Sequence, residues 1–378
     1  MNSRNVIIAV ITAVIVVVAW QTSQKNAPTT ELVSERLYPD LIERLNDVQS
    51  VKIQSAASIT ELVRSGENWV VANRDNFPAT FATVKNTLIN LADATVIEEK
   101  TSKPERYARI GVGDISEPDS KAVRLEIDAG SGDQLATVLI GNERSGSQLN
   151  ARQFYVRKTD AAAALLVEGE LNVKDDPADW MDSAVVNVAT ARVRQVSITP
   201  ADGPQVVVTK QKAGDNFFTL SDIPTGFEAK SRSVVSSLGA MLLDVKFDNV
   251  AAQSRVGASS PIATAEVRTF DGLIGTMERF ELDGESFVRF RFAFDEAGIV
   301  ADPVTADESE SSATTDQADA DKEMSVTDEV AGLNEKTQAW VYALPDYKDR
   351  MLEKRLDDMI KPVEEKPAAT TAEGSDEG

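Results

Sequence analysis

Neither cysteine nor histidine occurs anywhere in the 378 residues. That absence removes thiol nucleophiles, disulfides, histidine general bases, serine–histidine–aspartate triads and the usual zinc, copper and haem ligand sets. Carboxylate acid/base chemistry, a serine–lysine pair or a hard cation held by oxygens remains open. Basic residues are also scarce: 39 Lys and Arg stand against 61 Asp and Glu, for a formal net charge of -22. A phosphate backbone repels such a chain, because binding it depends on cationic groups displacing condensed counterions; nucleic acid is therefore not expected as a partner. The 42% hydrophobic content still suffices for a buried core, and the length allows two ordinary domains.

A long uncharged run, VIIAVITAVIVVVAW from Val6 to Trp20, has Arg4 ahead of it and Lys25 after it. Its four isoleucines and six valines contribute about -3 to -6 kcal/mol toward insertion, and Gln21 to Ser23 add the turn needed to span a bilayer. A cleaved signal peptide is the competing reading, but bulky Trp20 follows the small-residue site Val17-Val18-Ala19. We read residues 6–23 as a transmembrane anchor, 1–5 as a cytoplasmic N-terminus and 24–34 as a linker, with everything beyond outside the cytoplasm.

The remainder carries an internal repeat. Val48-Gln-Ser-Val51-Lys-Ile53 recurs as Val193-Arg-Gln-Val196-Ser-Ile198, each alternating like a half-buried strand. In both copies a second strand and an aromatic third follow, NWVV at Asn68 and NFFTL at Asn216. Pro78 and Pro224 then precede helical stretches, with Phe81, Val84, Leu88 and Leu91 on one face, and Val234, Leu238, Met241, Leu242 and Val245 on the other copy's face. Further strands run in step to the closing elements, including an expected helix from Met351 to Ile360. The fold class is therefore α+β: two tandem related domains, 35–190 and 191–362, each a mostly antiparallel sheet with a covering helix. Residues 296–335 hold twelve carboxylates and one lysine, and are expected to be a disordered acidic insert; the tail 363–378 shares that character.

The repeat also settles YARIGVGD at Tyr107–Asp114. Its Ala108-Arg109-Ile110-Gly111 matches Ser254-Arg255-Val256-Gly257, and a polar turn and a strand follow in each copy. A phosphate cradle needs a helix opening directly after the glycines, so these are turn glycines supplying positive φ. Around Trp180, the cluster Asp175, Asp176, Asp179 and Asp182 suits a capped turn better than a cation site. Asp319-Ala-Asp321-Lys-Glu323 begins like a calcium loop, but Met324 stands where the sharp turn needs glycine. Trp69, Trp340 and the phenylalanines of FVRFRFAF alternate like core residues rather than a sugar platform. Arg289 and Arg291, on the opposite face of that last strand, remain candidates for a partner-protein contact, together with Asp176 and Asp179.

In LYPDLIERLNDVQSVKI from Leu37, ENWVV from Glu67, NFPATFATVKNTLINLADATVIEEKTSKPERYARIGV from Asn76, DDPADWMD from Asp175 and WVYALPDYKDRMLEKRLDDMI from Trp340, the chain resembles the bacterial domain-of-unknown-function family 4340. The resemblance implies a single-pass inner-membrane protein whose bulk lies in the periplasm, associated with an ABC-type export system similar to those linked to gliding motility. It carries over no catalytic residues, metal or cofactor. The expectation is a non-enzymatic accessory protein whose partner is a transporter subunit. An envelope-glycan or small-ligand binding module and a carboxylate-dependent hydrolase are the alternatives.

Overall fold

The computed structural model describes residues 35–117, 119–145, 152–300 and 325–363. The segments assigned above to the N-terminus, anchor and linker (1–34), most of the acidic insert and all of the tail after Val363 lie outside them. Among the described residues no helix is long and apolar enough to cross a membrane.

The chain enters β1 (Val48–Gln54), β2 (Ile59–Ser65), β3 (Asn68–Val71) and β4 (Phe77–Pro78) before helix α1 (Phe81–Asp93). Next come β5 (Thr95–Thr101), the helical turn α2 (Tyr107–Ile110), β6 (Val123–Ala129), β7 (Gln134–Glu143), β8 (Gln153–Lys158) and β9 (Ala164–Glu168). Then follow β10 (Ala184–Val186), β11 (Val193–Pro200), β12 (Val206–Thr209), β13 (Thr219–Leu220), β14 (Phe227–Ala229) and the short helix α3 (Arg232–Ser236). β15 (Val245–Lys246), β16 (Asn249–Ala252), β17 (Ala263–Thr269), β18 (Leu273–Leu282) and β19 (Glu285–Phe294) precede α4 (Val326–Thr337). β20 (Trp340–Ala343), α5 (Asp346–Leu352), α6 (Leu356–Met359) and β21 (Ile360–Pro362) end the described chain. The architecture is mostly antiparallel sheet with a few helices, an α+β fold.

Two compact units emerge, one from the residues up to Ser58 with Lys85–Asp175, the other from Ile59–Val84 with the residues from Asp176 on. They are not coextensive with the sequence repeats at 35–190 and 191–362. Ile59–Val84 clusters with the second unit because Phe77 is buried edge-on against Phe247 and Trp340, and because Thr80 donates its N–H to the Trp180 carbonyl.

The first unit orders its strands β1-β6-β7-β8-β9-β5. In the second, β13-β12-β11-β17-β18-β19-β20-β16 form one sheet, and the six strands from β11 onward repeat the first unit's order position by position. The agreement extends to a bulge. β1 shifts register against β6 between Val48 and Ser50, and β11 shifts against β17 between Val193 and Gln195, the same place in the repeated motif. Alternation explains both strands, since Val48, Val51 and Ile53, like Val193, Val196 and Ile198, are fully buried. β18 and β19 pair along their whole length across Asp283-Gly284, both at positive φ as a two-residue hairpin turn requires.

Three local expectations are corrected. Phe81, assigned to the covered face of α1, is 54% exposed, while Val84, Leu88 and Leu91 are buried as expected. The helix expected to carry Val234 to Val245 shrinks to α3 and one tighter turn, with Val235 buried in place of Val234. Serines are weak helix formers, and Gly239 lies so close to Phe218 that a Cβ there would stand 2.3 Å from the ring. Finally, Met351–Ile360 is not one helix: α5 ends at Leu352, α6 is a single turn, and Ile360 pairs with Ala229 in the β14–β21 ribbon. Pro362 two residues on favours extended chain just before it.

Candidate interaction surface

Within the stretch 296–335, expected to be disordered, helix α4 begins at Val326. Ser325 caps it, accepting the Asp328 N–H at 3.1 Å while its hydroxyl donates to the Asp328 carboxylate at 2.8 Å. Val326, Val330, Leu333 and Thr337 recur at helical spacing, and Thr337 is completely buried. Apolar periodicity over one face outweighs the acidic composition that argued for disorder.

Three polar contacts fix α4. Asn334 takes the Phe292 N–H on its amide oxygen at 2.9 Å and donates its amide N–H to the Phe292 carbonyl at 2.8 Å, the two bonds a neighbouring strand would make. Arg192 grips both Glu329 oxygens at 2.9 and 2.8 Å while its Nε bonds Asp271 at 2.7 Å. Those hydrogen bonds, Glu329 first, raise the guanidinium further above its already high range against the opposing cost of burial. Lys336 reaches Asp182 at 3.3 Å.

Beside this helix runs a groove of about 400 Å³, walled by the β10–β15 ribbon and α4. Val185, Val245 and Leu333 supply its apolar lining, Gly332 opens one wall, and Asp244, Asp328 and Lys336 stand at the rim. Asp244 adopts positive φ and donates its N–H to Asn187 at 3.0 Å.

A smaller cleft of about 110 Å³ surrounds Arg255, whose guanidinium lies 2.8 Å from Asp283 and 3.8 Å from Asp75. Asp75 also accepts the Ala252 N–H at 2.8 Å, and Asn249 donates to Glu285 at 3.0 Å. This volume is well below the roughly 300–1,000 Å³ of small-molecule sites. The paired glycine segments are turns: Gly257, two residues after Arg255, and Gly111 after α2 both have positive φ, and each follows a helical turn instead of opening one. Arg109 is exposed.

The four residues singled out from sequence fall in different settings. Arg289 is largely buried, its Nε 2.7 Å from Glu278 and its guanidinium 4.9 Å from the Phe280 ring centroid. Arg291, 58% exposed and 3.5 Å from the same Glu278 oxygen, presents the only outward charge of that pair. Asp176 caps the turn Pro177–Trp180 by accepting the Ala178 N–H at 2.9 Å, and Asp179 is exposed in that turn. Asp182 accepts the Ala184 N–H at 3.1 Å, and Trp180 is 1% exposed, so the aspartates hold a turn around a buried anchor. Among the described residues no group of three or more acidic side chains is arranged to hold a metal ion; the calcium-like stretch at Asp319 lies outside them.

Sequence reasoning missed Gly332, Leu333 and Asn334. The signal was present as a Ser-x-x-Asp start at Ser325 with apolar residues at 326, 330 and 333. Charge counted over forty residues swamped a pattern confined to the last twelve.

Comparison with known proteins places one match on the chain. A family model described as a domain of unknown function, DUF4340, covers residues 69–265. No curated protein matches.

Proposed function

The chain belongs to the DUF4340 family, and from that starting point we propose that it is a non-enzymatic accessory protein held at the bacterial inner membrane by residues 6–23. On this reading its bulk lies in the periplasm and binds a subunit of an ABC-type exporter. We further propose that its two sheets descend from one duplicated α+β unit, a reading supported by the shared strand order and the shared bulge.

The observation that carries the binding role is the elaboration of the second sheet alone. Where the first sheet continues from β8 to β9 after a short turn, the second diverts the chain through residues 295–339, builds α4 and sets a groove beside it. An addition that leaves the strand order unchanged serves the surface rather than the core. In the Arg255 cleft, Asp75 and Asp283 are both ion-paired to one guanidinium, which gives no support to a hydrolytic pair.

The test is affinity purification of the full-length chain in mild detergent from cells that also express the neighbouring transporter. Recovery of a transporter subunit in fixed ratio is the expected result. Recovery of the chain alone, or its release from membranes by alkaline carbonate, would overturn the reading.

A further inference from the structure

The groove beside α4 carries more than a general binding role. Gly332 occupies the interior of a twelve-residue helix, where glycine weakens the helix relative to alanine. Among the described residues nothing requires it for packing: a Cβ placed there meets no described atom within 4 Å, and φ is not positive. Its effect is to lower one wall of the groove, so that an incoming chain can approach the helix backbone closely. The rim adds charge. Asp244 and Asp328 stand exposed at it, and Asn187 keeps the Asp244 backbone in the left-handed conformation. Asp244 lies 3.7 Å from Lys246 and Asp328 accepts the Ser325 hydroxyl, while Glu329 and Lys336 are paired with Arg192 and Asp182 and hold the helix in place.

The sequence that leads into α4 is acidic as well. Residues 301–324 carry eight carboxylates and one lysine, and they are covalently attached at Ser325, the cap of the helix that forms the groove wall. An apolar groove whose rim carries more carboxylates than cations favours a cationic occupant and repels an acidic one.

We propose that this groove docks a cationic, apolar-faced segment of a partner protein, with apolar side chains against Ala184 and Leu333 over the buried floor of Val185 and Val245, and lysine or arginine toward Asp244 and Asp328. The proposal rests on the accessory role above and specifies its surface and the chemistry of the partner.

The probe is a fluorescently labelled amphipathic Leu/Lys peptide titrated against the full-length chain in detergent, with oligolysine and a Leu/Glu peptide as comparisons. The Leu/Lys peptide should bind, and Gly332→Leu, which fills the groove, should weaken it about tenfold or more. Asp244→Asn should weaken it by a smaller factor that vanishes at high salt. Gly332→Ala favours the helix while adding only a methyl, so it guards against misreading a folding defect; its binding should fall between wild type and Gly332→Leu. Equal binding of oligolysine, unchanged by Gly332→Leu, would overturn the proposal in favour of the acidic run alone, and tight binding of the Leu/Glu peptide would overturn it outright. Purification separates this failure from that of the broader reading. If wild type and Gly332→Leu recover the transporter subunit equally, the groove is wrong and the accessory role stands; if neither recovers it, the accessory role fails.

Discussion

β8 and β9 are joined by residues 159–163 and share five consecutive pairs, from Gln153 with Glu168 to Arg157 with Ala164. Their positional counterparts, β19 and β20, are separated by residues 295–339 and share one pair, Val288 with Tyr342. Lengthening a connection is cheap, because closure entropy grows only with the logarithm of length. Losing a ladder is not, because every backbone N–H and C=O it satisfied must find another partner or water. At the second seam the repair is a side chain: Asn334 meets Phe292 with one acceptor and one donor, as a strand would. Tyr342, buried against Phe247 and Phe290, supplies by packing some of what the missing pairs supplied by hydrogen bonding. One seam is thus closed by backbone and the other by side chains, which leaves only the second open to disruption by single substitutions of polar groups.

Replacing Asn334 tests this most severely. Asn334→Ala leaves both Phe292 groups without their partner and should cost about 1–3 kcal/mol in denaturant unfolding. Amide exchange at Phe292 and along α4 should accelerate while the β8–β9 amides keep their protection. Parallel acceleration at both seams would show that they respond as one cooperative block, and the distinction would be lost.

Acid should separate the seams next. Burial alone would raise the Asp271 carboxyl, but hydrogen bonds from Thr269 and Arg192 outweigh it and hold the group below the ordinary aspartate range. A carboxylate lowered in the fold stabilises fully above its unfolded value near 3.9, and that contribution disappears as pH falls through the folded value. As Asp271 takes up its proton, Arg192 loses one of the two carboxylates that orient it and the pin on α4 weakens. Amide exchange as pH falls below about 4 should therefore show α4 loosening more than β8 and β9, whose five backbone pairs need no carboxylate and beside which Arg152 holds Glu143 and Glu170 in solvent-exposed ion pairs. Asp271→Asn should flatten this acid response and lower stability at neutral pH. An unchanged acid response in that variant would place the sensitivity elsewhere.

How much of this the sequence disclosed follows the range of the forces involved. Alternation in VQSVKI and VRQVSI is local, so both strands and their repetition were legible, as were the turn glycines Gly111 and Gly257. The common bulge was not, because it depends on the register of a partner strand some eighty residues away. Pairing Ile59–Val84 with the second unit depends on Phe77 finding Phe247 and Trp340, contacts across more than 160 residues with no local signature. Arg289 and Arg291 read as equivalent because strand parity puts both on one face; only the neighbouring Glu278 and Phe280 bury one and leave the other out. The groove escaped notice because it needs α4 and a ribbon made from β10 and β15, whose paired residues stand about sixty positions apart in sequence.

Gly332 gives the smallest expected effect and separates two explanations of the second seam. If α4 only repairs a missing ladder, its interior should favour helix formers, and a glycine touching nothing is a defect that substitution should mend. Gly332→Ala should then raise stability by up to about 1 kcal/mol, read as a higher denaturation midpoint with slower exchange along α4. If the glycine also keeps the groove open, the same variant should gain stability and lose affinity for the Leu/Lys peptide, because the added methyl stands where the occupant approaches the backbone. A gain in stability with affinity intact would reduce α4 to a patch on the sheet edge; opposite movements in the two measurements would show one helix repairing the fold and shaping a binding surface, something the ladder of β8 and β9 has no means to do.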